Sequence, residues 1–242
     1  TFTIGVRELG GDIVEIPADV MHADREPIND VARNLERWVD AVVIRTFAQE
    51  RLNQIAEITP KLHVINALSN EEHPCQALAD MQTLVEHWGT LAGKRVAFVG
   101  DGNNVARSLV VACARAGMRF VLAAPNGYQF DESFLATCRT AFPGHLPIQE
   151  SDPARAVADA DVIYSDVWTS MGQEAETAKR LRDFRGFEVN ESLMAKAPAH
   201  AKFMHCLPAH HGEEVTTDVF ESRVSVVFDQ AENRLHCQKA LL

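Results

Sequence analysis

Short runs of apolar and β-branched residues alternate along the chain with segments whose apolar positions recur every three or four residues. The runs predict strands at Asp12–Ile16, Ala41–Arg45, His63–Asn66, Arg95–Val99, Arg119–Ala123, Asp161–Ser165, Lys202–Cys206 and Ser225–Phe228. The helical pattern falls near 27–39, 49–58, 75–89, 103–116, 132–142, 174–185 and 230–242; in the fourth of these Val105, Leu109, Ala112 and Cys113 share one face. Strand–helix alternation of this kind calls for parallel sheets with helices on both sides, an α/β fold. The best boundary lies near Trp88–Lys94, where a helix runs into Gly89 and Gly93 before a fresh strand. It divides the chain into an α/β unit over 1–88, a second over 89–229, and a closing helix over 230–242. Ligands of such sheets bind beyond the carboxyl ends of the strands. Arg45, Asp101–Asn104, Asp166 and His205-Cys206 all stand at such ends.

Composition narrows the class. With 242 residues, 46% hydrophobic and 24% charged, the chain can bury a sizeable core, which excludes disorder as its main state. No apolar stretch approaches the roughly 18–20 residues that span a bilayer, so no membrane role is expected. Twenty-three basic residues against 34 acidic ones give a net charge of -11. That argues against a broad nucleic-acid surface but leaves room for a local anion pocket. Five scattered cysteines without a C-x-x-C pair fit a reducing cytoplasm better than a disulfide framework. The chain starts Thr1-Phe2-Thr3 without Met and ends in an unbroken helical run, so both ends read as cut and a fragment is expected.

Four segments carry candidate chemistry, and each has a plain structural reading beside the functional one. Gly100-Asp101-Gly102-Asn103-Asn104 lies between a strand and a helix, but Val105 holds the last glycine position of a dinucleotide fingerprint. It is a capped tight turn, or a set of amides offered to a polar ligand. His73-Pro74-Cys75-Gln76 opens a helix, whose free N–H groups suit a phosphate or a polarised carbonyl, or simply a cap. Asp166-Val167-Trp168-Thr169-Ser170-Met171-Gly172 follows a strand and reads equally as a helix entry or an ammonium site. In His205-Cys206-Leu207-Pro208, strand alternation throws His205 and Cys206 to opposite faces. That disfavours zinc, and it also disfavours a local Cys–His nucleophile.

Together with Ala231-Glu232-Asn233-Arg234, these segments closely resemble the ornithine carbamoyltransferases of the aspartate/ornithine carbamoyltransferase superfamily, in the family's order and over essentially the whole chain. The Ser-Met-Gly loop and the His-Cys-Leu-Pro strand end point to the ornithine branch. The resemblance implies two doubly wound parallel-sheet domains, carbamoyl-phosphate-binding then ornithine-binding, with the last helix packing back on the first. It implies a homotrimer with interface active sites, no cofactor and no metal, serving arginine metabolism. Carried over residue by residue, carbamoyl phosphate falls to Arg45, His73, Gln76, Cys206, Leu207 and Arg234, and L-ornithine to Asn104, Asp166, Ser170 and Met171. The catalytic set is Arg45, His73, Cys206 and Asp166.

Three departures accompany the resemblance. The family's Ser-x-Arg-Thr phosphate loop, expected just ahead of Phe2-Thr3-Ile4-Gly5, is absent from the 242 residues, which puts the fragment's own activity in question. Met21 stands where many relatives carry Gln, and Val31 where Thr is usual. The alternatives are a carbamoyltransferase for acylated ornithine or putrescine, a non-catalytic binding relative, and a nucleotide-binding protein.

Overall fold

The structure is a computed structural model that describes residues 1–16, 26–170 and 172–242. Helix α1 (Phe2–Glu8) precedes the first strand–helix unit: α2 (Ile28–Trp38), β1 (Ala41–Arg45), α3 (Gln49–Ile58), β2 (His63–Leu68) and α4 (Pro74–Trp88). The second unit comprises β3 (Arg95–Val99), α5 (Asn104–Arg115), β4 (Arg119–Ala123), α6 (Glu132–Ala141), β5 (Ile148–Glu150), α7 (Pro153–Val157) and β6 (Val162–Ser165). It continues through a 3-10 turn (Glu174–Glu176), α8 (Thr177–Asp183), α9 (Glu191–Met194), β7 (Lys202–His205) and α10 (Thr217–Phe220); α11 (Val227–Leu241) closes the chain.

All strand pairs are parallel. Among the described residues β1 and β2 form a two-stranded sheet, and the other five strands form a sheet in the order β5-β4-β3-β6-β7. The chain leaves β3 toward β4 on one side and returns to β6 on the other. The topological switch point therefore lies between β3 and β6, where open α/β sheets hold their ligands. Strands β3, β4, β6 and β7 are buried almost throughout, because helices cover both faces; that is why their sequences are continuous apolar runs.

Local signals start and stop the helices. Pro74 occupies the first turn of α4, and Gly89 ends that helix at φ 70°, a conformation costly for a residue with a Cβ. Asn103, Asp131 and Asp152 cap α5, α6 and α7 with their side chains.

Two expected strands do not form. Residues 12–16 pair with no strand among the described residues, and Val14 and Ile16 are exposed, so their alternation buries nothing there. Residues 225–228 make one bridge, Ser225 to Phe203, before the chain turns helical at Val227, so the closing helix starts three residues earlier than expected. Expected helix 174–185 is a 3-10 turn followed by α8. The short edge strand β5 and helices α1, α7, α9 and α10 carry too little periodicity to be read from sequence.

Helix α11 packs back on the first unit, along α4 and α1. Its register is set by buried polar contacts. Gln230 Nε2 donates to Asp80 Oδ1 at 2.6 Å, and Asn233 Nδ2 donates to Thr83 Oγ1 at 3.0 Å and to Glu86 Oε2 at 2.7 Å. One turn beyond Gln230, Arg234 is thereby delivered to the start of α4.

Candidate active site

At the switch point the β6 strand end presents Asp166, whose carboxylate is nearly fully buried. Cys206 Sγ, just past β7, donates to Asp166 Oδ1 at 3.0 Å, and the Val167 N–H reaches the same oxygen at 2.8 Å. Asn103 Nδ2, just past β3, donates to Asp166 Oδ2 at 2.7 Å. Three strand ends thus converge on one carboxylate. Burial, with the neighbouring Asp166 charge second, pushes the Cys206 thiol well above its ordinary range, so it stays protonated and acts as a donor.

His205 and Cys206 diverge as adjacent strand residues should. The His205 ring points to buried Glu214, Nε2 lying 3.3 Å from Oε1, while its Nδ1 accepts the Leu207 N–H at 2.9 Å. An Nδ1 that accepts leaves the proton on Nε2, facing the carboxylate. The same contact holds Leu207 at φ 58°, a left-handed conformation that a branched side chain adopts only under constraint, before a cis Leu207–Pro208 bond.

The first unit supplies the opposite wall. The His73 backbone N–H donates to Ser108 Oγ at 2.7 Å, and Ser108 in turn donates to the Glu72 carboxylate, which ties α4's entry to α5. His73 is buried, and burial, reinforced by the charges of Arg234 and Arg45, lowers its pKa to about 3. Its imidazole is therefore neutral at ordinary pH. Gln76 spends its amide N–H on Asp80 at 2.9 Å. His73 Nδ1, Gln76 Oε1 and Arg234 Nε are buried with no hydrogen-bond partner among the described residues.

Beneath them Asp80 is fully buried. It accepts from Gln76, from Gln230 and, at Oδ2, from the Tyr164 hydroxyl at 3.2 Å; burial raises its pKa to about 7. The chain from Gln76 through Asp80 and Gln230 continues to the His205 N–H, which donates to Gln230 Oε1 at 3.0 Å. It links the two walls.

Family models match both units. The carbamoyl-P binding domain of the aspartate/ornithine carbamoyltransferases matches residues 1–86, and their Asp/Orn binding domain matches 92–242. The chain belongs to the aspartate/ornithine carbamoyltransferase family. Its similarity lies with the ornithine branch. An ornithine carbamoyltransferase of Symbiobacterium thermophilum is 47% identical over all of this chain and 79% of its own length, and one of Acidothermus cellulolyticus is 49% identical over 100% and 78%. The solved structure of the Pyrococcus furiosus ornithine carbamoyltransferase is 48% identical, covers 99% of this chain and 77% of that one, and superposes with a TM-score of 0.93. That of Gloeobacter violaceus gives 0.88 at 42% identity over 100% and 79%.

Within this carbamoyltransferase chain, Arg45, His73, Gln76 and Arg234 stand on the first-unit wall. Asp166, Cys206 and Leu207 stand on the second, and Ser170 is half-buried in the loop beyond Asp166, its N–H on Gln173 Oε1 at 3.2 Å. Asn104 bridges the units: Nδ2 donates to Ser69 O at 2.7 Å and Oδ1 accepts the Val105 N–H. Met171 and Met21 lie outside the described residues. Sequence reasoning missed Asn103 as Asp166's partner, Asp80 and Glu214. Gln230 and Asp80 are 150 residues apart, so no local spacing could have paired them. His210, Glu213 and Glu214 form a group of possible metal ligands; among the described residues the structure shows no other. No described helix is long and apolar enough to cross a membrane.

Proposed function

We propose that the chain transfers the carbamoyl group of carbamoyl phosphate to the side-chain amine of L-ornithine, giving citrulline and phosphate. The observation that carries this reading is the facing of two unlike walls. A buried carboxylate held by Cys206 and Asn103 suits an ammonium, and a neutral His73 flanked by Arg45 and Arg234 suits a phosphorylated carbonyl.

In this reading Arg45 and Arg234 neutralise the phosphate, for which guanidinium geometry is well suited. A neutral His73 donates an N–H to the carbonyl oxygen as negative charge develops there, and Gln76 Oε1 accepts from the carbamoyl amide. Asp166 holds the ornithine α-ammonium. Asn104 and Ser170, with Met171, hold the rest of the amino-acid end, and Leu207 lines the carbamoyl side. The side-chain amine sheds its proton and attacks the carbonyl carbon. A C–N bond forms, the C–O bond to phosphate breaks with its electron pair leaving on phosphate, and the surplus proton of the attacking nitrogen leaves with the phosphate. Cys206 remains a thiol beside the attacking amine, because the mixed anhydride already carries a good leaving group.

The reaction requires no cofactor, and the proposed assembly is a homotrimer with active sites between subunits. Exposed Trp38, Val43 and Phe47 on the first unit support an assembling surface there. Five free cysteines support a cytoplasmic location. The test is citrulline formation by the protein with a panel of ornithine, acetylornithine and putrescine. Preference for ornithine upholds the reading, and preference for either other amine overturns it.

A further inference from the structure

A buried guanidinium lies behind the amino-acid wall and takes no part in the chemistry above. Arg180, on α8, is 6% exposed. Its Nη1 donates to Asp101 Oδ2 at 2.5 Å and to the Trp168 carbonyl at 2.9 Å, and its Nε donates to Glu176 Oε2 at 3.1 Å. The guanidinium carbon also lies 5.0 Å from the centre of the Tyr128 ring. Both of its loop partners stand two residues from a group in the site. Asp101 precedes Asn103, the amide on Asp166, and Trp168 lies midway between Asp166 and Ser170.

Among the described residues, the loop that carries Ser170 has few other anchors. The N–H groups of Ser170, Gly172 and Gln173 all bond within the loop, to Gln173, Glu174 and Ser170. Trp168 is held from one side by stacking on Phe184, with ring centres 5.5 Å apart. Beside the direct Asn103–Asp166 bond, Arg180 is thus a second polar link between the β3 loop and the β6 loop, set two residues farther out on each. The guanidinium serves three acceptors from two nitrogens held in one plane, Nη1 on Asp101 and the Trp168 carbonyl and Nε on Glu176, a geometry that a lysine's single nitrogen does not reproduce.

We propose that Arg180 is a positioning residue for amino-acid selectivity: by clamping Asp101 and the Trp168 carbonyl it fixes the spacing of Asn103, Asp166 and Ser170 that distinguishes an α-amino acid from a plain alkyl amine. This rests on the assignment of Asp166 and Ser170 to the amino-acid end of ornithine. The experiment compares wild type with Arg180→Lys and Asp101→Asn. It measures kcat and KM for ornithine, carbamoyl phosphate and putrescine, together with the thermal midpoint. For Arg180→Lys the ornithine KM should rise about tenfold or more and the ornithine-over-putrescine preference should fall as far, while the carbamoyl phosphate KM stays within about twofold. Asp101→Asn should shift the same two quantities in the same direction by less.

A fall in kcat with unchanged ornithine KM and unchanged preference overturns the proposal, as does an equal rise in both substrates' KM. If Arg180→Lys does not fold, Asp101→Asn decides the matter, and failure of both to fold makes the pair purely structural. Should wild type itself fail to prefer ornithine, the functional reading falls, an outcome separable from a variant that leaves an existing preference intact.

Discussion

Around Asp166 the polar atoms are already paired: thiol, amide and backbone N–H groups from three strand ends occupy its carboxylate oxygens. Across the junction His73 Nδ1, Gln76 Oε1 and Arg234 Nε have no such partners among the described residues. The packing beneath follows the same division. The five-stranded sheet lies within an apolar core that runs from Leu84 to Val227, whereas the fully buried residues of the first unit's own cluster are Ala32, Leu35, Ile55 and Leu62. The Asp166 carboxylate is therefore fixed by the fold, although Trp168 Nε1 and Thr169 Oγ1 in the loop beyond it also lack partners among the described residues. The first-unit wall offers atoms that an incoming anion and amide can pair without displacing a protein contact. A site divided in this way can read the amino acid through a preset carboxylate and the phosphorylated carbonyl through groups that pair only when it arrives.

Four substitutions would break or sharpen the division. The largest effect is expected from Asp166→Asn, which keeps the shape but loses the charge facing an ammonium. The ornithine KM should rise by about 2–5 kcal/mol in free energy, with carbamoyl phosphate affinity nearly unchanged. Equal losses for the two substrates, in steady-state titrations of each, would merge the walls. His73→Ala should act from the other side, lowering kcat about 10²–10³-fold while leaving the ornithine KM close to that of wild type.

Asp80 joins the walls, and its titration opposes that of His73. The Asp80 pKa is raised from 3.8 to about 7, so its stabilising contribution is complete below pH 3.8 and is lost as pH rises through 7. The His73 pKa is lowered from 6.5 to about 3, so its contribution is complete above pH 6.5 and is lost as pH falls toward 3. Between about pH 4 and 6.5 the two slopes offset, each being at most about 1.4 kcal/mol per pH unit. Asp80→Asn should remove one slope and expose the other, so that denaturant midpoints fall steadily from pH 6.5 to 4. A profile parallel to wild type would place the titration elsewhere. The smallest effect belongs to Cys206→Ser, whose hydroxyl can still donate to Asp166: activity should persist within about tenfold to a hundredfold, with weaker ornithine binding.

What the sequence made legible was local. Strands β1, β3 and β4 begin and end where their apolar runs do; in β3 and β4 this is because parallel strands covered on both faces leave no polar position to blur the edges. The apolar run at 225–228 misled because burial of Val226 and Val227 is equally met by a helix start. Residues at strand ends could be picked out as a class, and they do line the junction. That Asn103 meets Asp166 while Asn104 reaches Ser69 turns on side-chain direction at a helix entry, which spacing does not fix. Arg180, Asp80 and Glu214 were invisible for another reason. Each is a buried polar residue explained only by its partners: Arg180 meets Asp101 from 79 residues away, and Glu214 acts through the ring of His205.

Direct transfer across the junction is most plainly tested by initial rates over a full matrix of both substrate concentrations. The protein should also be incubated with carbamoyl-labelled carbamoyl phosphate in the absence of ornithine. If both walls must be filled before the C–N bond forms, the reciprocal plots intersect and no label stays on the protein. Parallel plots, with label recovered on Cys206, would make the cysteine a covalent carrier and contradict a thiol held protonated beside Asp166.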